Sequence, residues 1–265
     1  MIILKSSQEI QRLQESADLV SEVLNRMIDL SEPGLPTIEL DCLAEKTIRE
    51  YGAEPAFKGY RGFPYSVCVS INEQVVHGFP SKRTLKAGDI VSLDVGVKYR
   101  GYIGDCARTF SIGPIAEAEE LLVRRAYYAL RMSCNLAKSG KRVGDISHAV
   151  ESYARRYRYG VVRDFVGHGV GQQLHEDPQI PNFGPPGTGQ RLKPGLVICI
   201  EPMFNLGTYE VEVLEDGWTV VTKDRRLSVH VEDMVAILPE GPKIMTSAKG
   251  VVFPEEEKPT MAMSS

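Results

Sequence analysis

Two ten-residue segments of the chain repeat each other, and this repeat limits the fold more than any other feature. The segment LKAGDIVSLD, residues 85–94, aligns without gaps to LKPGLVICIE, residues 192–201, and both end in a carboxylate. Tyr-Gly pairs at residues 51–52 and 159–160 close helical patterns at nearly the same interval. An internal duplication of helix, helix and strands explains both observations. We therefore expect one α/β (α+β) domain with a pseudo-twofold axis near the paired carboxylates.

Hydrophobic periodicity gives a similar order of elements in each half. It predicts helices over residues 7–30 and from Thr37 to Tyr51 in the first half, and over 118–138 and 145–159 in the second. Short strands are predicted at 65–71, 75–77, 161–166, 196–200 and 227–237. Residues 1–240 are predicted to form one catalytic domain, and residues 241–265, which lack periodicity, a mobile tail.

The segment Gly88–Phe110 is predicted to form a β-hairpin with one aspartate in each arm. A turn centred between Tyr99 and Arg100 would place Asp94 directly opposite Asp105, with Cβ atoms roughly 5 Å apart. Two ionised carboxylates at that distance repel each other unless a cation lies between them. The hairpin alone leaves two interpretations open, a metal site or one turn-capping and one solvated aspartate.

Composition excludes several classes of function. Hydrophobic residues make up 43% and charged residues 25% of the chain, and the net charge is -4, so nothing favours a nucleic-acid or membrane surface. The N-terminus lacks the apolar stretch of a signal peptide. Five cysteines without a CxxC spacing are typical of reduced thiols. These features predict a soluble cytoplasmic protein.

Three more polar residues stand in apolar surroundings of the second half: His168, Glu201 and Glu232. Each has an ordinary alternative, as a core histidine, a solvated strand end, or a partner of Arg225 or Arg226. Together with Asp94 and Asp105, however, they supply four carboxylates and one imidazole, which suit two divalent ions of the Mn, Fe(II) or Co type. Four carboxylates and two dications also balance in charge.

The motifs around these residues resemble those of the type I methionine aminopeptidases. They include SVCVSINEQVVHG, GDIVSLDVG, GDCARTF, FVGHGVGQQLHEDPQIPNFG, ICIEPMF and DGWTVVTKDRRLSVHVED, and the similarity extends from Ile10 to Leu238. The resemblance implies the internally duplicated pita-bread fold in its short bacterial or organellar form. It also implies removal of the initiator methionine from nascent proteins whose second residue is small.

The same resemblance implies a role for each metal ligand. Two divalent ions (Co, Mn or Fe(II), with the physiological metal left open) would be bridged by Asp105 and Glu232. Asp94 would chelate one ion, and His168 with Glu201 would complete the other. Glu201 would also carry the proton from the attacking water to the leaving amine.

Further residues match substrate-contacting positions of that family. His175 would stabilise the oxyanion, and His77 would contact the scissile amide. The methionine pocket would be apolar, and the residues matching it are Tyr60, Phe63, Cys68, Trp218 and Leu174. Leu174 and Phe57 differ from the residues that some relatives carry, which leaves the shape of the pocket open.

Two other histidines have no role implied by the resemblance. His230 could support a ligand or be solvated, and His148 is expected to be an ordinary helix residue. The competing functions are a non-catalytic pita-bread binding module and an X-Pro aminopeptidase or prolidase, which usually carries an additional N-terminal domain. We expect a monomer that acts on the N-terminal methionine of nascent polypeptides, with the ribosome as a candidate partner and no contact with membranes.

Overall fold

The structure is a computed structural model that describes residues 2–247, and four α-helices lie within them. Three of the predicted helices agree with it to within two residues at each end and the fourth to within three. The helices are α1 (Ser7–Leu30), α2 (Ile38–Glu50), α3 (Glu117–Leu136) and α4 (Val143–Arg156). None of these helices is both long enough and apolar enough to cross a membrane.

Local hydrogen bonds explain where the first two helices begin. Ser6 and Glu9 form a reciprocal capping box at the start of α1, which satisfies two backbone N–H groups that the helix cannot pair. Thr37 stands at the N-cap of α2 as predicted, but its side chain does not cap the helix. Its hydroxyl instead accepts a hydrogen bond from the backbone N–H of Ser81, at 2.9 Å.

The strands of the first half surround one long hairpin. They are β1 (Glu54–Pro55), β2 (Val67–Ile71), β3 (Gln74–Val76), β4 (Ile90–Tyr99) and β5 (Tyr102–Ser111), and a 3₁₀ turn covers Tyr60–Gly62. Strand β4 is hydrogen-bonded to β1, β2 and β5. Helices α1 and α2 cover this sheet and bury an apolar core with it.

The second half has shorter strands and more of them. They are β6 (Gly160–Val161), β7 (Gly167–Gly169), β8 (Glu176–Ile180), β9 (Val197–Ile200), β10 (Met203–Asn205), β11 (Val211–Val213), β12 (Val220–Thr222), β13 (Ser228–His230), β14 (Asp233–Leu238) and β15 (Gly241–Ile244). Five of them form a sheet in the order β15-β14-β9-β7-β8. Helices α3 and α4 contribute to a second core with this half.

The structure supports the duplication inferred from the sequence. Strand β4 begins at Ile90 and β9 begins at Val197, which are aligned positions of the two repeated segments. Each half contains two packed helices followed by an antiparallel strand pair, β4 with β5 and β9 with β14. The halves meet at an isolated bridge, where the N–H of Glu232 donates to the carbonyl of Ala107 at 3.0 Å.

The predicted register of the hairpin is wrong by two residues, because the turn is centred one residue further along the chain. Tyr99 pairs with Tyr102, so Asp94 lies opposite Ala107 and Asp105 lies opposite Gly96. The two-residue loop consists of Arg100 and Gly101, with φ angles of 49° and 85°. Such a tight loop needs positive φ at both positions, and glycine adopts it without strain, which moves the turn one residue further along.

The consequence for the site is small because the side-chain period of a strand is two. The corrected register leaves Asp94 and Asp105 on the same face of the hairpin as diagonal rather than direct neighbours. Their Cβ atoms are then expected to be roughly 7 Å apart rather than 5 Å. This larger separation leaves more room for a cation between the two carboxylates.

Two strand boundaries and one domain boundary also differ from the predictions. The predicted strand 227–237 is divided into β13 and β14 at Val231 and Glu232, and the run 161–166 forms a strand only at its start. The predicted tail begins too early, because Gly241–Ile244 pairs with β14 and extends the sheet. Residues 248–265 of the predicted tail lie outside the described residues.

Candidate metal centre and adjoining pocket

A cavity of about 290 Å³ lies where the two halves meet, and the structure brings every candidate site residue into its wall. The cavity has a polar floor and apolar sides. The candidate residues that line it are Tyr60, Phe63, Cys68, His77, Asp94, Asp105, His168, Leu174, His175, Glu201, Trp218 and Glu232.

His168 presents a bare ring nitrogen to two carboxylates. Its Nδ1 lies 2.9 Å from the carbonyl oxygen of Gly169. A carbonyl can only accept, so Nδ1 carries the hydrogen and Nε2 keeps a lone pair. The Nε2 atom lies 3.6 Å from Asp105 Oδ2 and 3.7 Å from Glu201 Oε1. Two ligands of one divalent ion at about 2.1 Å each are separated by about 3.4 Å, so these spacings suit a shared cation.

Three carboxylate oxygens in the same place lack any hydrogen-bond partner. They are buried and belong to Asp94 (Oδ1), Asp105 (Oδ1) and Glu232 (Oε1). Burying an ionised oxygen without a partner is costly, and a metal ion is one of the few groups that removes this cost. The unpaired oxygens are therefore direct structural support for a cation site.

The pKa values of these carboxyl groups also show that ionising all of them together is unfavourable without a cation. Burial raises the pKa of Asp94 to about 7. Burial, followed by the charge of Asp94, raises the pKa of Asp105 well above its usual range, and burial with the charge of Asp105 does the same for Glu232. Burial opposes ionisation of Glu201 as well, but His230 and His168 outweigh it and lower its pKa. Without a cation, the cluster has to retain protons.

The donor set therefore fits one or more divalent ions, and it includes a residue that the sequence analysis missed. Possible ligand atoms of Asp105, His168, Cys199 and Glu232 all lie within 4.8 Å of one another. Burial raises the pKa of the Cys199 thiol far above its usual range, so the oxygen and imidazole donors are the better ligands. Cys199 lies on β9, two residues before Glu201 at the end of that strand, and this spacing was the signal that could have revealed it.

His77 and His175 face the cavity as neutral imidazoles. Burial lowers the pKa of His77 to about 4. Burial, together with the neighbouring ring of His168, lowers the pKa of His175 to about 4. The Nδ1 atom of His175 lies 2.7 Å from the hydroxyl of Tyr60, which orients the imidazole next to the candidate ligands.

The sides of the cavity form an apolar pocket beside this polar floor. The ring of Phe63 contacts that of Trp218 edge to face, with centroids 5.1 Å apart. Cys68 lies directly opposite Asp94 in the sheet, so it stands at the junction of pocket and floor. Phe57 also lines the cavity, as do five residues that the sequence analysis did not single out: Arg61, Val76, Asp164, Phe165 and Val166.

The remaining charged and imidazole groups can now be assigned. His230 is buried, with Nε2 3.2 Å from Glu201 Oε2, so its solvated alternative is excluded. His148 is exposed on α4 and contacts Ser152. The carboxylate of Glu232 is buried in the carboxylate cluster, and Arg225 forms its ion pair with Glu212 instead.

Comparisons with known proteins agree with this site. Residues 11–239 match Metallopeptidase family M24. The chain is 49% identical over 249 residues to a methionine aminopeptidase from Clostridium perfringens, an alignment that covers 94% of this chain and 100% of the relative. It is similar to the crystal structure of methionine aminopeptidase from Rickettsia prowazekii, with a TM-score of 0.92, 37% identity and coverage of 93% and 100%.

A more distant similarity concerns the fold alone. A prolidase from Pyrococcus furiosus superimposes with a TM-score of 0.76 at 24% identity, covering 93% of this chain and 66% of the prolidase. The architecture is thus shared with a prolidase, whereas the relatives at 46–49% identity are named methionine aminopeptidases. The chain therefore belongs to metallopeptidase family M24 and, within it, to the methionine aminopeptidases.

Proposed function

We propose that the protein removes the initiator methionine from nascent polypeptides whose second residue is small. One observation carries this proposal: the bare Nε2 of His168 and three unpaired carboxylate oxygens converge beside an apolar pocket. A hydrolytic metal centre next to a pocket for an unbranched apolar side chain is what this reaction requires. Relatives at 46–49% identity carry the corresponding name.

We propose that Asp94, Asp105, His168, Glu201 and Glu232 hold two divalent ions, with Co, Mn and Fe(II) as candidates. The preference for hard oxygen donors, with a single imidazole, favours these metals over a thiolate-bound zinc. When bound, such ions lower the pKa of a bridging water and polarise the scissile carbonyl. Asp105 and Glu232 come from different halves, so both halves of the molecule would hold the ions.

The chain's own residues are proposed to move the proton and stabilise the charge. Glu201 ionises more readily than its burial alone would allow. It can therefore accept a proton from the attacking water and pass it to the leaving amine. His175 and His77 are held neutral, so each can donate one N–H hydrogen bond to the reacting amide. We assign the oxyanion to His175 and the scissile amide to His77.

The apolar side of the cavity is proposed to select methionine. Phe63, Trp218, Tyr60, Cys68 and Leu174 offer aromatic and sulfur-containing surfaces, against which a flexible thioether packs well. We further propose that the enzyme works as a monomer in the cytoplasm and meets its substrates at the ribosome. The location and the ribosome follow from the proposed substrate, a nascent polypeptide, and the monomer is carried over from the sequence-based expectation.

The test is hydrolysis of three peptides by protein first freed of metal and then loaded with Mn(II) or Co(II). Methionine release from Met-Ala-Ser, but not from Met-Leu-Ser, is the expected result, and it should require metal. Cleavage of Leu-Pro-Ser would support the X-Pro aminopeptidase instead. Absence of cleavage by folded, metal-loaded protein would support the non-catalytic binding module.

A further inference from the structure

His230 lies against the oxygen of Glu201 that faces away from His168. Its ring is 2% exposed, and its Nε2 lies 3.2 Å from Glu201 Oε2. The Nε2 atom of His168 lies 3.7 Å from the other oxygen, Oε1. Each oxygen of the proposed proton carrier therefore has an imidazole of its own.

The two imidazoles differ in whether the ring nitrogen that faces Glu201 carries a lone pair or a hydrogen. His168 uses its N–H on the carbonyl of Gly169, so only a lone pair remains at Nε2. The Nε2 atom of His230 has no well-aligned hydrogen-bond partner, and Glu201 Oε2 is close enough to become one after a small ring rotation. A buried lone pair at that distance from a carboxylate oxygen would be repelled, so Nε2 of His230 is the donor of the two.

The main chain of His230 is held by the opposite half of the molecule. Its N–H lies 3.2 Å from the hydroxyl oxygen of Thr109 and 3.4 Å from that of Ser92. The Thr109 hydroxyl in turn donates to the carbonyl of His230 at 2.5 Å. Ser92 precedes Asp94 by two residues on β4, so both side chains point to the same side of the sheet. The hairpin of the first half thus sets the position of His230.

We propose that His230 is a positioning residue, whose Nε2–H holds Oε2 of Glu201 so that Oε1 stays directed at His168 and the metal centre. The terminal torsion of a glutamate is broad, so a carboxylate held at only one oxygen samples many orientations. Holding the second oxygen keeps the proposed proton carrier aligned with its water. This inference rests on the role proposed above for Glu201.

Two substitutions at His230 distinguish the effect of its hydrogen-bond donor from the effect of its side-chain volume. His230→Leu removes the donor, and His230→Gln keeps an N–H of similar reach. For Met-Ala-Ser, we expect His230→Leu to lower kcat by about 10- to 100-fold with KM changed less than about twofold, and His230→Gln to recover most of this loss. Calorimetric titration with Mn(II) should give the wild-type number of bound ions for both variants.

His148→Leu is the matched control, because His148 is exposed on α4 and should tolerate the change without loss. Wild-type kcat in His230→Leu, or equal loss in the leucine and glutamine variants, would overturn the proposal. Loss of one bound ion in either variant would overturn it too, because His230 would then be a ligand.

A spectroscopic measurement keeps the inference testable even if the wild-type protein releases no methionine, a result that would contradict the proposed function alone. In the diamagnetic Zn(II)-loaded protein, proton NMR should show a slowly exchanging imidazole N–H that disappears in His230→Leu and shifts in Glu201→Gln. An N–H signal of His230 that Glu201→Gln leaves unchanged would show that the two side chains are not joined.

Discussion

The two halves of the molecule share a plan but differ in how they carry it out. In the first half, β4 and β5 are ten residues each and are joined by a two-residue loop. In the second half, the corresponding strands β9 and β14 are four and six residues long, and the segment between them contains β10 to β13. The aligned carboxylates, Asp94 and Glu201, therefore sit in very different local structures.

Because of this difference, the two halves contribute different groups to the site. The uninterrupted hairpin places Asp94 and Asp105 by local pairing alone. The interrupted half adds Trp218 to the pocket and brings His230 next to Glu201. We infer that the repeated segments supply the aligned carboxylates Asp94 and Glu201, whereas the segment between β9 and β14 adds Glu232 to the candidate ligands and His230 to the surroundings of Glu201.

The largest expected effect concerns the two aligned carboxylates, Asp94 and Glu201, which we expect to differ in function. Glu201→Gln should lower kcat by about 10²- to 10⁴-fold at saturating Mn(II), since the amide cannot carry a proton. Asp94→Asn keeps an oxygen that can bind metal, so a high Mn(II) concentration should restore its kcat to within about tenfold of the wild-type value. Peptide hydrolysis across a Mn(II) titration measures both. Similar, metal-independent losses in the two variants would show that the positions are functionally equivalent.

The next prediction concerns the contact that joins the halves. Arg108 is 1% exposed and lies 2.6 Å from Asp233, and it also donates to the carbonyl of Glu232. Arg108→Met should lower the free energy of unfolding by about 3–5 kcal/mol, because it leaves the Asp233 carboxylate buried without its cation. Urea denaturation measures this change.

Two further variants control for this loss. Arg108→Met combined with Asp233→Asn should be less destabilised than Arg108→Met alone, because no unpaired charge then remains at this contact. Arg49→Ala breaks the exposed pair with Glu45 and should cost less than about 1 kcal/mol. A double variant less stable than the single one would contradict the account of a buried charge pair.

The smallest expected effect is a pH dependence of the metal-free protein. Asp94, Asp105 and Glu232 have raised pKa values when folded, so unfolding releases protons and stability falls as the pH rises towards those values. The lowered pKa values of His77 and His175 act in the opposite direction, but only as the pH falls from 6.5 towards 4. Between pH 6.5 and 8 this opposing effect fades, and His230, whose contact with Glu201 outweighs burial and raises its pKa, acts in the same direction as the carboxylates.

Thermal melting at pH 6.5 and pH 8 checks this sign. The metal-free protein should melt at a lower temperature at pH 8, with a slope of at most about 1.4 kcal/mol per pH unit for each proton released. Bound Mn(II) should remove the decrease, and metal-free Asp94→Asn should show a smaller one. Higher stability of the metal-free wild type at pH 8 would contradict the description of a repelling carboxylate cluster.

Much of the fold could be predicted because the informative signals are periodic or repeated. Helical spacing located α1 to α4, and the repeat ending in Asp94 and Glu201 anticipated that the two halves meet at a carboxylate cluster. The structure brings the candidate ligands and pocket residues to one cavity, as expected. Their individual roles remain predictions.

The errors arose where geometry depends on contacts that a linear pattern does not contain. The loop at Arg100 and Gly101 is set by backbone torsion angles, so the hydrophobic alternation could not distinguish registers on the same face. The break at Glu232 depends on its pairing with Ala107, far away in sequence. The sequence left two interpretations of His230 open because its partner, Glu201, follows a different strand.

The central claim is that both halves contribute ligands to one dinuclear centre. Anomalous X-ray scattering from crystals of the Mn(II)-loaded protein tests it most directly. The account predicts two manganese peaks in the cavity, with Asp105 and Glu232 contacting both, Asp94 on one, and His168 with Glu201 on the other. A single manganese ion held by one half alone, or ions bound outside this cavity, would contradict it.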